Sequence, residues 1–140
     1  MSGRRVAVLA MAIACGGSSS RAPRDLTFEA APFQTVHSNS GALTVAVHAE
    51  MGRTPARGEN AFRYVITDSS GGPIDGMQMT IAPWMPDMGH GSSATPRVTA
   101  LGAGAYVITD VFFAMPGRWD LISNFTGPVS DAAKPSFQIP

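Results

Sequence analysis

Apolar residues recur at every second position in several short segments of the chain, and this spacing is typical of β-strands that bury one face. In segment 43–48 Leu, Val and Val alternate with Thr, Ala and His, and in segment 62–67 Phe, Tyr and Ile alternate with Arg, Val and Thr. No segment carries an apolar stripe at helical spacing, so the sequence predicts an all-β fold. Further strands are predicted at 35–37, 74–82, 97–100, 105–113, 118–125 and 136–139.

Turn residues separate these segments. The chain has 15 glycines and 11 prolines, a composition that fits many short strands better than long helices. Residues 68–73 (DSSGGP) and 102–104 (GAG) predict tight turns. Segment 83–96, with three prolines and two glycines, is predicted to be a long irregular connection. About seven strands joined in this way predict a two-sheet antiparallel β-sandwich, with a small β-barrel as the alternative.

The first 34 residues predict export and lipidation. Residues 1–14 begin with a short basic stretch, continue as an apolar run and end in small residues directly before Cys15, the only cysteine. This order is typical of a bacterial lipoprotein signal peptide, after which Cys15 carries the lipid. The alternative is an ordinary signal peptide with a cysteine buried in the fold. We therefore expect a signal peptide at 1–14, the lipidated cysteine and a flexible tether at 15–34, and the domain at 35–140.

The charge of the chain limits its partners. Ten basic and ten acidic residues cancel, so we expect no attraction to nucleic acid. The predicted lipid would tie the domain to a membrane on its extracytoplasmic side. Gly16 and Gly17 stand where an aspartate often retains a lipoprotein in the inner membrane, which favours the outer membrane.

Methionines concentrate in one segment, and their chemistry predicts a metal site. Of the eight methionines, four lie within 77–88, and His90 follows. Thioether sulfur is a soft ligand that prefers Cu(I), and imidazole also binds copper. Because a methionine in a loop has no core to fill, Met85, Met88 and His90 are predicted to bind copper as Cu(I). Trp84 would shield the ion with its aromatic face.

The remaining methionines and histidines leave two interpretations open. Met79 shares a predicted strand face with the other apolar residues of 77–81, which favours core packing over metal binding. Met115 precedes a Pro-Gly turn and is predicted to pack in the core, with a role as an extra copper ligand as the alternative. His48 is predicted to lie on the exposed face of its strand. His37 would add a ligand only if the fold brought it to the loop.

The same segment is compatible with a function in a different class, in which the Pro/Met/Trp loop docks a protein partner without metal. Trp84 would then be the docking residue, or would cap the end of the sandwich, and His90 would be a solvated loop residue. An enzyme is not expected. The sequence contains no Gly-x-Ser-x-Gly motif, no phosphate-binding glycine loop and no motif that places a pair of carboxylates.

Three short motifs in a fixed order resemble the FixH/YtkA-like domain, and the similarity covers about residues 40–125. They are PWMPDMGHG at 83–91, GAGAY at 102–106 and FAMPGRW at 113–119. The resemblance implies an immunoglobulin-like β-sandwich and a role in extracytoplasmic copper handling, such as oxidase assembly or metal efflux. It also implies a copper-accepting or efflux protein as partner, with copper ligands at Met85, Met88 and His90. FixH proper is anchored by a transmembrane helix, whereas this chain has a predicted lipid anchor.

Overall fold

The computed structural model describes residues 25–140, and every regular element in this range is a β-strand. This confirms the predicted all-β fold and adds two short strands, His90–Gly91 and Asp131–Ala133, that the alternating pattern did not predict. The described residues include no helix that could cross a membrane. The predicted signal peptide at 1–14, Cys15 and the start of the tether lie outside the described residues. The ten strands are β1 (Gln34–His37), β2 (Leu43–Ala49), β3 (Gly58–Asp68), β4 (Gln78–Met85), β5 (His90–Gly91), β6 (Arg97–Gly102), β7 (Ala105–Phe113), β8 (Gly117–Thr126), β9 (Asp131–Ala133) and β10 (Ser136–Ile139).

The strands form two antiparallel sheets that pack as a sandwich. Sheet one has the order β1-β2-β3-β7-β6, and sheet two has the order β10-β8-β4-β5, with β9 also paired to β8. A hydrogen bond from the Asn39 N–H to the Ala132 carbonyl oxygen, 2.8 Å long, links the connection after β1 to β9. Within residues 25–140 no strand of one sheet pairs with a strand of the other. The predicted two-sheet sandwich is therefore confirmed, and the barrel alternative is wrong.

Alternate residues of the central strands fill the space between the sheets. Val45 and Val47 of β2 and Tyr64 and Ile66 of β3 have 0% exposed surface, as the alternation predicts. The Tyr64 hydroxyl is satisfied in this interior, because it lies 3.0 Å from the Ser123 hydroxyl oxygen on β8. Burial raises the pKa of the Tyr64 phenol, which stays protonated.

A β-bulge redirects the second half of β7. Thr109 and Asp110 together lie opposite Ala61 of β3, and Asp110 has a φ of 59°, which a short polar residue tolerates. Ile108 and Val111 are three positions apart and would face opposite sides of a regular strand. Both have 0% exposed surface. The bulge therefore turns the end of β7 inward, directly before the turn that leads to β8.

Residues 27–33 lie against sheet one, although they fall within the tether predicted at 15–34. Phe28 forms an isolated β-bridge with Glu50 at the end of β2 and is 9% exposed. The Phe33 N–H donates to the carbonyl oxygen of Val47, 2.7 Å away. The ordered domain therefore begins before residue 35.

The same N-terminal segment buries His48, so the prediction that His48 is exposed is wrong. His48 is 6% exposed, and its Nδ1 donates to the Glu29 carbonyl oxygen at 2.8 Å. It pairs across the sheet with Arg63, whose guanidinium carbon lies 5.8 Å from the centre of the Phe28 ring. Alternation places His48 on the outer face of sheet one. It gives no information about a distant segment that covers that face.

Candidate metal site

Strand β4 continues through Pro83 to Met85, so the prediction of an irregular connection beginning at residue 83 is wrong. Proline usually interrupts a strand because it has no N–H to donate. Here Pro83 pairs with Leu121 of β8 at a position where its backbone groups point away from β8. Its carbonyl oxygen accepts the Ser92 N–H at 3.3 Å on the other side. The ladder between β4 and β8 therefore loses no hydrogen bond, and β4 extends to the end of the sandwich.

Met85 is a core residue, and the prediction that it lies in a loop with Met88 is wrong. The alternation along β4 places Met85 on the same inner face as Ile81 and Pro83, and Met85 is 2% exposed. Met88 lies in the turn between β4 and β5 and is 59% exposed. The two thioethers therefore differ in environment, one inside the sandwich and one in solvent.

His90 faces the same side of sheet two as Met85. It lies directly opposite Met85 in the β4–β5 ladder, and directly paired residues share a face. Its ring is half-buried and meets Trp119 edge to face, with the ring centres 6.0 Å apart. The His90 Nδ1 donates to the Gly91 carbonyl oxygen at 3.2 Å, which leaves the lone pair of the neutral ring on Nε2. His90 is thus a strand residue with a nitrogen suited to ligation.

The turn between β7 and β8 closes over Met85. A Cβ atom at Gly117 would lie 2.8 Å from the Met85 Cε, and the φ of Gly117 is 130°. The Met85 methyl group therefore packs on bare backbone. The Trp119 indole N–H donates to the Met115 carbonyl oxygen at 3.0 Å, which holds the turn that carries Met115. Met115 is partly buried against the core. We call Met85, His90 and Met115 the Met/His cluster: the His90 ring and the Met115 backbone contact Trp119, and the Met85 methyl group contacts Gly117 two residues earlier, at one end of the sandwich.

Sequence reasoning missed the part that Gly117 and Trp119 play in this arrangement. Both belong to the motif at 113–119, so a signal was present. Spacing along the chain cannot show that the first residue of β8 packs against the last residue of β4 in the same sheet. Both the φ of 130° and the Met85 methyl group require glycine at 117, and neither is visible in the sequence.

Met79 and His37 lie away from the Met/His cluster. Met79 pairs with Phe125 near the start of β4 and packs against the core, about 20 Å from Met85 at the usual strand rise. This confirms the core interpretation of Met79. His37 lies beside the last residues of β3, whereas the first residue of β3 pairs with Phe113 next to the cluster. The fold therefore places His37 at the opposite end of the sandwich.

Trp84 lies on the outer face of sheet two, so its predicted role as a shield for the ion is wrong. It pairs with Asp120 and is 38% exposed. Because neighbours along a strand point to opposite faces, Trp84 points away from Met85. The aromatic side chain on the inner side is Trp119, which is fully buried. Trp84 is instead an exposed apolar residue on the hairpin.

The donors of the Met/His cluster fit a soft monovalent cation. Thioether sulfur and neutral imidazole suit Cu(I), whereas hard cations such as Ca²⁺ and Mg²⁺ require several oxygen ligands. In residues 25–140 no three side chains among His, Cys, Asp and Glu come together as a ligand set. Metal binding at this end would therefore depend on sulfur.

Comparison with known proteins gave one match. A family model described as YtkA-like matches residues 26–124, which is most of the described chain and confirms the resemblance seen in the three motifs. Neither the curated proteins nor the solved structures gave a match.

Proposed function

The chain belongs to the YtkA-like family, and from this premise we propose that it is an exported lipoprotein that binds Cu(I) and passes it to a copper-accepting or efflux protein. Met85, His90 and Met115 would hold the ion. Lipid on Cys15 would keep the domain on the extracytoplasmic side of a membrane, with the outer membrane favoured. The protein acts as a binding protein and not as an enzyme.

The observation that carries this proposal is the direct pairing of His90 with Met85, beneath the turn that carries Met115. Three separate segments, the end of β4, the start of β5 and the β7–β8 turn, each contribute one donor. The donors are two thioethers and one imidazole, a set that prefers Cu(I) to hard ions.

The electrostatics of the Met/His cluster support a monovalent ion. The two thioethers carry no charge, imidazole binds a metal ion in its neutral form, and Met85 and Trp119 are almost entirely withdrawn from water. The cost of burying a cation rises steeply with its charge, and none of the three proposed ligands carries a negative charge that would offset it. A divalent cation is therefore disfavoured relative to Cu(I). The bond from His90 Nδ1 to a backbone carbonyl is the kind of support that orients a ligating imidazole.

A competition assay with a chromogenic Cu(I) chelator under reducing conditions tests the proposal. The full chain is used with Cys15→Ser throughout, because the thiol would otherwise compete for Cu(I). Met85→Leu and Met115→Leu keep apolar volume and remove the sulfur, and each should weaken binding by about tenfold or more. Met79→Leu is the matched control, because it removes a thioether from the same face of the same strand, and it should bind Cu(I) as the parent does. Unchanged affinity in both cluster variants would refute the proposal.

A second candidate function rests on the exposed side of the same hairpin. Trp84 is 38% and Met88 is 59% exposed, and large apolar side chains exposed together are typical of protein-docking surfaces. In this alternative Trp84→Ala abolishes binding of a protein partner, while the parent protein binds no Cu(I). The competition assay on the parent protein therefore distinguishes the two candidates.

A further inference from the structure

Thioethers at the cluster end of the sandwich fall into two classes of exposure. Met85 is 2% exposed and Met115 is partly buried, whereas Met88 in the β4–β5 turn is 59% exposed. A Cu(I) ion handed over by another molecule meets Met88 before it can reach Met85. The exposed thioether of Met88 is therefore suited to ligand exchange, whereas the less exposed thioethers of Met85 and Met115 are suited to retaining the ion.

The turn holds Met88 next to the cluster. The Met85 carbonyl oxygen accepts the N–H of Met88 at 3.3 Å and the N–H of Gly89 at 2.9 Å. A turn closed in this way keeps the Cα atoms of Met85 and Met88 within about 7 Å. Gly89 adopts a φ of 65°, which lets the chain reverse and enter β5 at His90. The unbranched, flexible side chain of Met88 can therefore point to solvent or fold back toward His90.

We infer that Met88 is the transfer ligand of this protein: it takes Cu(I) from a donor by ligand exchange and passes it to the less exposed Met/His cluster, which retains it. This inference rests on the proposed function. The thioether of Met88 replaces one ligand of the donor complex, His90 and Met85 then replace the remaining donor ligands, and Met115 finally displaces Met88 from the ion. The ion stays monovalent throughout, so the exchange needs neither an oxidant nor a reductant.

Stopped-flow mixing with a Cu(I)–bicinchoninate complex tests the inference on the full chain with Cys15→Ser. Loss of the chelator colour measures transfer. A change in Trp119 emission, followed in a Trp84→Phe background, reports arrival of the ion beside His90. Met88→Leu should slow transfer by about tenfold and change the equilibrium affinity by less than about twofold. Met51→Leu is the matched control, because Met51 is 58% exposed and lies in the β2–β3 turn at the same end, and it should transfer at the parental rate.

Each other result overturns the inference. If Met88→Leu transfers Cu(I) at the parental rate, the ion reaches the cluster through half-buried His90 instead. If Met88→Leu loses as much affinity as Met85→Leu, Met88 is a retaining ligand. If Met51→Leu slows transfer equally, exposed thioethers act without regard to position. A parent protein that takes no Cu(I) from the chelator refutes the proposed function itself, which separates that failure from the others.

Discussion

Replacing Gly117 by alanine should destabilise the domain through two separable effects. Gly117 has a φ of 130°, and holding a residue with a side chain there costs about 1–3 kcal/mol. The new Cβ atom would also lie 2.8 Å from the Met85 Cε. Because that methyl group is the end of a flexible side chain, its displacement adds only about 1 kcal/mol. The free energy of unfolding should therefore fall by roughly 2–4 kcal/mol, and Tm by roughly 10 °C.

Urea and thermal unfolding of the full chain, followed by circular dichroism, measure this effect. Gly58→Ala is the control, because Gly58 has a φ of 93° and open space around its Cβ position, so it reports the backbone effect alone. Met85→Ala should cost about 1 kcal/mol less in the Gly117→Ala background than in the parent, since it removes the displaced methyl group. Two results together would show that the turn does not close on Met85. The free energy of unfolding would be the same for Gly117→Ala as for Gly58→Ala, and the effects of Gly117→Ala and Met85→Ala would be additive in the double variant.

Three further predictions concern the rest of the sandwich. Tyr64→Phe removes a buried hydroxyl paired with Ser123 and should lower the free energy of unfolding by about 1–2 kcal/mol; a neutral result in urea would mean that the pair contributes nothing net. Hydrogen bonds from Ser40 and then Ser38 lower the pKa of Asp131 to about 2, so its contribution is present above the ordinary carboxyl pKa and is lost as pH falls toward 2. An NMR titration of Asp131 with an ordinary midpoint would contradict this prediction. Phe28→Ala should cost about 3 kcal/mol and increase hydrogen exchange in β2; an unchanged Tm would show that residues 27–33 do not belong to the domain.

The candidate site was only partly predictable from the sequence. Residue chemistry and the motif at 83–91 predict soft donors at Met85, Met88 and His90, whereas Met115 is predicted to pack in the core, where the structure partly buries it. The prediction of a loop at Met85 is wrong, because prolines in a sequence usually indicate the end of a strand and here they do not interrupt β4. Pro83 is accommodated because its backbone nitrogen, which has no hydrogen to donate, points away from β8. Which backbone groups of a strand form hydrogen bonds depends on the partner strand and not on the residues of the strand itself.

The parts of the fold that were predicted correctly depend on short-range patterns in the sequence. The turn predicted at 68–73 forms because the Asp68 carboxylate accepts the N–H groups of Ser70 and Gly72, each at 2.9 Å. A further hydrogen bond from the Ser70 hydroxyl has the largest effect, and together with the N–H bonds it lowers the pKa of Asp68. Such a turn uses only neighbouring residues, so it is visible in the sequence.

The sequence by itself determined the all-β class, the turns and the two faces of each regular strand, because alternation and turn chemistry act over a few residues. Only the tertiary structure decided which faces are covered. Residues 27–33 bury His48, the bulge at Asp110 turns the end of β7 inward, and the turn at Gly117 closes on Met85. These are contacts between segments far apart in the chain, and their geometry depends on which strands pair and on which segment covers an outer face, not on any local pattern.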